Sequence, residues 1–136
     1  MQHTSGSRAV NVLRGLLFCL IGLVFLGVSA YQLTDRVQFL GSAQAADGMV
    51  ESLRAGGSHP QVAFTTAQGQ RISYPQNGLI FGYQQGQAVR VFYAPEQPQA
   101  SAVIDDLGAL WGFPVVMGLI GAVFAVVGLR SLFKRQ

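Results

Sequence analysis

The chain has 136 residues, half of them apolar and only 11% charged, against roughly 25% charged in soluble domains. That length holds one ordinary domain and not two, and the charge deficit makes the lipid bilayer part of the solvent. The net charge of +3 comes without a basic stripe interleaved with aromatics in the central segment, which excludes nucleic acid as the expected partner.

Residues 1–11 read as a polar tail. Gly15 to Tyr31 is 17 residues without a charged group. With Val12 and Leu13 added, and with Arg14 snorkelling its guanidinium to the headgroups, the run reaches the roughly 20 residues a helix needs to cross the hydrocarbon core. A transmembrane helix is expected over 12–33. Its rival is a signal peptide over residues 1–30, with Arg8 and Arg14 as the basic region, Gly15 to Val28 as the apolar core and Val28-Ser29-Ala30 as the cleavage site. The apolar run is long for a cleavable core, so the retained helix is the expectation. Cys19 is the single cysteine; it reads as a small packing residue, and the rest of the chain folds without a disulfide. Gly15, Cys19 and Gly22 recur at helical spacing on one face.

Residues 34–106 alternate strand and turn signals. The stretch "AYQLTDRVQFLGSAQAADG" extends the first helix until Gly41 or Gly48 ends it. Met49–Ala55 is a first strand without a clean apolar face, because Glu51 shares its side with Met49 and Leu53; "GGSHP" is a turn. "PQVAFTT" then places Val62, Phe64 and Thr66 on one side, a turn follows at Gly69, and "RISYP" points Ile72 and Tyr74 inward, which makes a hairpin. Asn77-Gly78 and Gly86 carry turn chemistry around "GLIFGY". In "AVRVFYAP", Val89, Val91 and Tyr93 share one face, and Ala88, Arg90 and Phe92 the other. Pro95 ends ladder hydrogen bonding and Pro98 keeps the connector extended. "QASAVIDD" forms a last edge segment, and Asp105 or Asp106 caps the second helix. Four or five short strands of this kind make a small antiparallel sheet or partly closed β-barrel.

Leu107 to Leu129 is 23 residues without an ionisable group, so a second membrane helix is expected over 107–130, followed by a basic tail over 131–136. Pro114, Gly118, Gly121, Ala125 and Gly128 recur at spacings of four, three, four and three, a small-residue face of the kind that lets helix backbones approach in lipid. Either the two helices of this chain pack on each other, or part of this face, with Gly15, Cys19 and Gly22, docks on another membrane protein. Pro114 is placed to kink the helix, with Trp111, Phe113 and Tyr31 near the interface. Arg8, Arg14, Arg130, Lys134 and Arg135 flank the two helices while all six acidic residues lie between them. The positive-inside rule then puts both termini in the cytoplasm and the centre outside. The fold class expected is integral membrane α+β: a two-helix transmembrane hairpin with the small β-sheet or barrel inserted.

Three stretches carry a resemblance to a known family. They are "D-G-x-V" (Asp47, Gly48, Val50), "P-x-V-x-F-T-T-x-x-G" (Pro60 to Gly69) and "G-x-x-V-x-V-x-Y-x-P-x-x-P-x-A" (Gly86 to Ala100). Together with the second apolar run they resemble the bacterial domain-of-unknown-function 3592 family. The resemblance implies two inner-membrane helices flanking a small extracytoplasmic β-domain, and it leaves the function open.

No catalytic, cofactor or metal constellation is expected. His3 and His59 fall on opposite sides of the membrane, and His59 sits in a turn without the positioned partner that base chemistry needs. Asp105 and Asp106 form a helix cap more simply than a carboxylate dyad or cation site. Neither helix carries a charge at its centre for proton or ion passage. In "GLIFGY" the apolar side chains fill the core of the small domain, or Ile80, Phe81 and Tyr83 form a contact facing the bilayer or a partner. Tyr93, Pro95, Pro98, Asp105 and Asp106 have structural roles. The leading functional expectation is a non-enzymatic inner-membrane protein that binds another membrane or envelope protein as an accessory subunit. The alternative is a membrane-bound immunity protein that intercepts a toxin at the outer face. An enzyme acting on lipid or polymer would need an acid/base pair that the sequence does not offer.

Overall fold

A computed structural model describes residues 3–54 and 58–134. The elements in chain order are α1 (His3–Ser42), β1 (Gln44–Arg54), β2 (His59–Thr65), β3 (Arg71–Pro75), β4 (Ala88–Tyr93), α2 (Pro98–Ser101), β5 (Val103–Ile104), a π-helical turn (Gly108–Gly112) and α3 (Phe113–Phe133). Two compact units result: one formed by the helical segments up to Gln32 and from Pro114, the other by Leu33–Phe113. Ala55, and with it Gly56 and Gly57 of the expected turn, lie outside the described residues, as does the basic Arg135.

The helical unit is built from runs that are apolar on nearly every side, as in a membrane span or the buried core of a large protein. Two stretches, Ser5–Ser42 and Gly108–Phe133, are long and apolar enough to cross a membrane. Pro114 has no N–H to return to Leu110, and the single π turn lies immediately before it, where the hydrogen-bond ladder must widen.

The other unit is a curled five-stranded antiparallel sheet, a half-barrel with strand order β3-β2-β1-β4-β5. Its curl follows from β1. Residues Gln44–Met49 pair with β4, and Gly48–Arg54 pair with β2, so the partners diverge along one long central strand. A register shift between Val50 and Ser52 inserts Glu51 as an extra residue, and such a bulge bends its strand and increases the twist. Val62, Phe64, Ile72, Tyr74, Val91, Tyr93 and Ile104 form the buried core cluster. Phe64 lies at its centre, with its ring 5.1 Å from Tyr93 and edge-on to Tyr74 at 6.0 Å.

Open sheet edges are templates for unwanted pairing, and glutamine side chains cover both edges of this sheet. The Ile104 N–H of β5 donates to Gln76 Oε1 at 2.9 Å, and Gln99 Nε2 donates to the Ser73 carbonyl of β3 at 3.2 Å. Gln76 is itself buried and satisfied: its Oε1 also accepts from the Tyr74 hydroxyl and its Nε2 donates to the Asn77 carbonyl.

Three sequence expectations change in detail. The first strand begins at Gln44, so Asp47-Gly48 lies inside β1 and does not end the helix; a Cβ at Gly48 would meet the Ala63 carbonyl at 2.8 Å, so the glycine serves close packing. The connector after Pro95 is not extended, because Pro98 starts the helical turn α2. Proline is favoured at a first helical position, where its φ is already set and no N–H is needed. Ser101 fastens that turn, accepting from the Ala94 N–H and donating to the Gln97 carbonyl, both at 2.7 Å.

Candidate partner-binding surfaces

In the helical unit, the small residues of one helix meet those of the other in antiparallel order. A Cβ on Gly128 would meet the backbone N of Cys19 at 2.7 Å and the Gly15 carbonyl at 2.8 Å. One on Gly22 would meet Ala125 N at 2.7 Å and the Gly121 carbonyl at 2.8 Å, and one on Gly121 would meet Leu26 N at 2.9 Å. The Ser29 hydroxyl lies against Gly118 and donates to the Pro114 carbonyl at 2.7 Å. Phe18 and Phe25 flank the seam against Phe124 at 5.6 and 6.4 Å. The face formed by Gly15, Cys19, Gly22, Pro114, Gly118, Gly121, Ala125 and Gly128 is thus filled from within the chain. Ser29 is the member that sequence reasoning missed, although continuing the same spacing past Gly22 through Leu26 reaches it.

In the sheet unit, the segment Ile80, Phe81 and Tyr83 divides. Ile80 is 2% exposed and belongs to the core, whereas Phe81 is 77% exposed. Gly78 and Gly82 bracket this loop with φ of 119° and 79°, a backbone region that side-chain-bearing residues enter at a cost. The two turns let one side chain enter the core while its neighbours point away. Tyr83 is half-buried and donates to Asp106 Oδ2 at 2.6 Å. Burial first, and then the hydrogen bond and charge of Asp106, hold the Tyr83 hydroxyl protonated well above the ordinary tyrosine range.

The other oxygen of Asp106 accepts from the Gly108 and Ala109 N–H groups at 2.7 and 3.2 Å. Of the two aspartates offered as a cap it is therefore Asp106 that caps, while Asp105 is exposed. This arrangement is a cap bonded to a tyrosine, not a carboxylate dyad. Tyr93, 1% exposed, ties the start of β1 to the turn after β2: its hydroxyl donates to Gln44 Oε1 at 2.9 Å and accepts from the Ala67 N–H at 3.0 Å.

The outer face of the sheet carries a polar cluster that the sequence did not announce. Arg71 donates to Glu51 Oε1 at 2.6 Å, Ser73 donates to Glu51 Oε2 at 2.7 Å, and Gln61 donates to Ser73 at 2.9 Å. The hydrogen bonds from Ser73 and then Arg71 lower the Glu51 carboxyl below its ordinary range. A shallow open groove is lined by Ala45, Ala46, Asp47 and Arg90, with the Arg90 guanidinium over the Phe92 ring at 5.6 Å. Among the described residues no three His, Cys, Asp or Glu side chains gather as metal ligands. These arrangements can hold a partner by contact, and none of them positions a nucleophile against a base.

The chain is similar to a protein of Pseudomonas aeruginosa described as immune protein Tsi4, with 50% identity over 132 residues that cover 97% of this chain and 91% of that protein. No family model matches the chain, and no solved structure matches it.

Proposed function

Because the chain belongs to the family of the immune protein Tsi4, we propose that it is an immunity protein, held in the bacterial inner membrane, that protects its cell by binding a toxin. The observation that carries this reading is the extent of the similarity, which spans both apolar helices and the sheet between them. Protection by binding needs surface and not catalytic machinery, in keeping with Glu51 in a cross-strand contact and Asp106 in a cap bonded to Tyr83. The orientation that fits the charge distribution has both termini in the cytoplasm and the sheet unit outside, where it would intercept a toxin before or as it reaches the bilayer. The likeness to the domain-of-unknown-function 3592 family concerns architecture alone and remains a proposal beside this one. The accessory-subunit reading drew on the sheet domain and on the small-residue helix face; the helix face is filled within the chain, and the sheet surface is shared with the immunity reading.

The test is survival. A strain lacking the chain is mixed with siblings that produce a toxin, and its recovery is compared with that of the same strain carrying a plasmid copy. The reading expects loss of the unprotected strain and rescue by the plasmid. Equal survival of protected and unprotected strains beside every toxin-producing sibling would overturn it.

A further inference from the structure

We propose that the loop Gly78–Gly82 is a membrane-interface anchor, with Phe81 inserted among the lipid headgroups beside the start of the second helix. The inference rests on the membrane placement stated under the proposed function and adds a second point of attachment to it.

Leu79 is packed on the first helical turns that follow Asp106. A Cβ on Gly108 would collide with the Leu79 carbonyl, and one on Gly112 would meet the Leu79 side chain at 3.0 Å. Gly78 is equally close: a Cβ there would meet Ala109 Cα at 3.1 Å. The loop is therefore fixed at the level of residues 108–112, and Gly108–Phe133 is the stretch long and apolar enough to cross a membrane. A side chain that leaves the loop outward at this level meets the interface, where aromatic rings collect.

The exposed residues agree with that position. Phe81 is 77% exposed, Leu79 44% and Leu107 80%, all on segments that Leu79 joins. Trp111, half-buried on the same turns, adds a second ring of the type enriched at this depth. The segment from Asn77 to Tyr83 contains no Lys, Arg, Asp or Glu that would resist contact with lipid. A lone exposed phenylalanine is ordinary in a soluble domain. One held against the first turns of a membrane-crossing stretch has lipid as its nearest solvent. The aromatic ring is presented, and the adjoining Ile80 is locked in the core, so the anchor is stiff.

The experiment uses the full chain in vesicles of phosphatidylethanolamine and phosphatidylglycerol that contain phosphatidylcholine brominated near the headgroup end of its acyl chains. Trp111 is the single tryptophan, so the natural chain reports on the helix start. A Phe81→Trp, Trp111→Phe chain reports on the loop. The proposal expects both indoles to lose most of their emission to the brominated lipid and to be shielded from aqueous acrylamide. Quenching of Trp111 without quenching of the indole at position 81 would overturn the anchor, leaving Phe81 free for a protein partner and the membrane placement intact. Quenching of neither would overturn the membrane placement and the anchor together. Should the double exchange fail to fold, a bimane label on Phe81→Cys in a Cys19→Ala chain reads the same depth against the same lipid.

Discussion

At the scale of single residues, the sheet unit depends on a few polar side chains that join segments far apart in sequence. The Tyr93 hydroxyl is bonded to Gln44 and to the Ala67 N–H, both far earlier in the chain and 23 residues apart from each other. Tyr93→Phe keeps the ring against Phe64 and leaves those two groups unpaired, at a cost of about 1–2 kcal/mol. Thermal or urea unfolding in mild detergent should report that loss, and an unchanged midpoint would show that water replaces the hydroxyl. Glu51 has a different signature because its folded pKa is depressed. Its stabilisation is complete above the ordinary glutamate value of about 4.3 and is lost as the pH falls through the lower, folded value. Glu51→Gln should therefore flatten the acid limb of stability against pH. The effect is small and salt-sensitive, since the pair with Arg71 is solvent-exposed. A steeper acid limb in the variant would contradict the assignment.

At the scale of elements, the hairpin of helices makes a sharp comparison possible. A Cβ on Gly121 would press on Leu26 N and the Gly22 carbonyl, whereas one on Gly27 would meet nothing within 4 Å. Gly121→Leu should lower stability in detergent by about 1–3 kcal/mol through overpacking, and Gly27→Leu should leave it nearly unchanged. Equal effects of the two would mean that the helices are held by something other than this seam. How far each element was legible follows from its period. β3 and β4 alternate, and so does β2 apart from the buried Ala63 between Val62 and Phe64; their inward residues Val62, Phe64, Ile72, Tyr74, Val91 and Tyr93 could be read from the sequence. β1 could not, because the bulge at Glu51 breaks the alternation in mid-strand and Asp47-Gly48 imitates a turn. One helical turn, as in α2, is too short to show a period, and its single proline suggests extension as readily as a helix start. In "GLIFGY" the apolar run assigns no faces; only the positive φ of Gly78 and Gly82 separates the buried Ile80 from the exposed Phe81. The helix seam was legible from its small residues as far as Gly22, and its continuation through Leu26 and Ser29 was hidden because neither is glycine or alanine.

At the scale of the whole molecule, the chain places a small sheet between two apolar helices in sequence, and the sheet unit carries the groove beside Arg90, the Glu51 cluster and the Phe81 loop. The helices use their close-packing face on each other, so on the proposed reading the sheet unit supplies the surface for a toxin. Cross-linking on intact cells, followed by isolation of the full chain from its native membranes in mild detergent and mass spectrometry of the linked peptides, tests that division most directly. The account predicts a toxin captured when cells are exposed to toxin-producing siblings, linked through residues of Leu33–Phe113. A resident membrane protein bound in stoichiometric amount whether or not toxin is present, with no toxin linked, would contradict it.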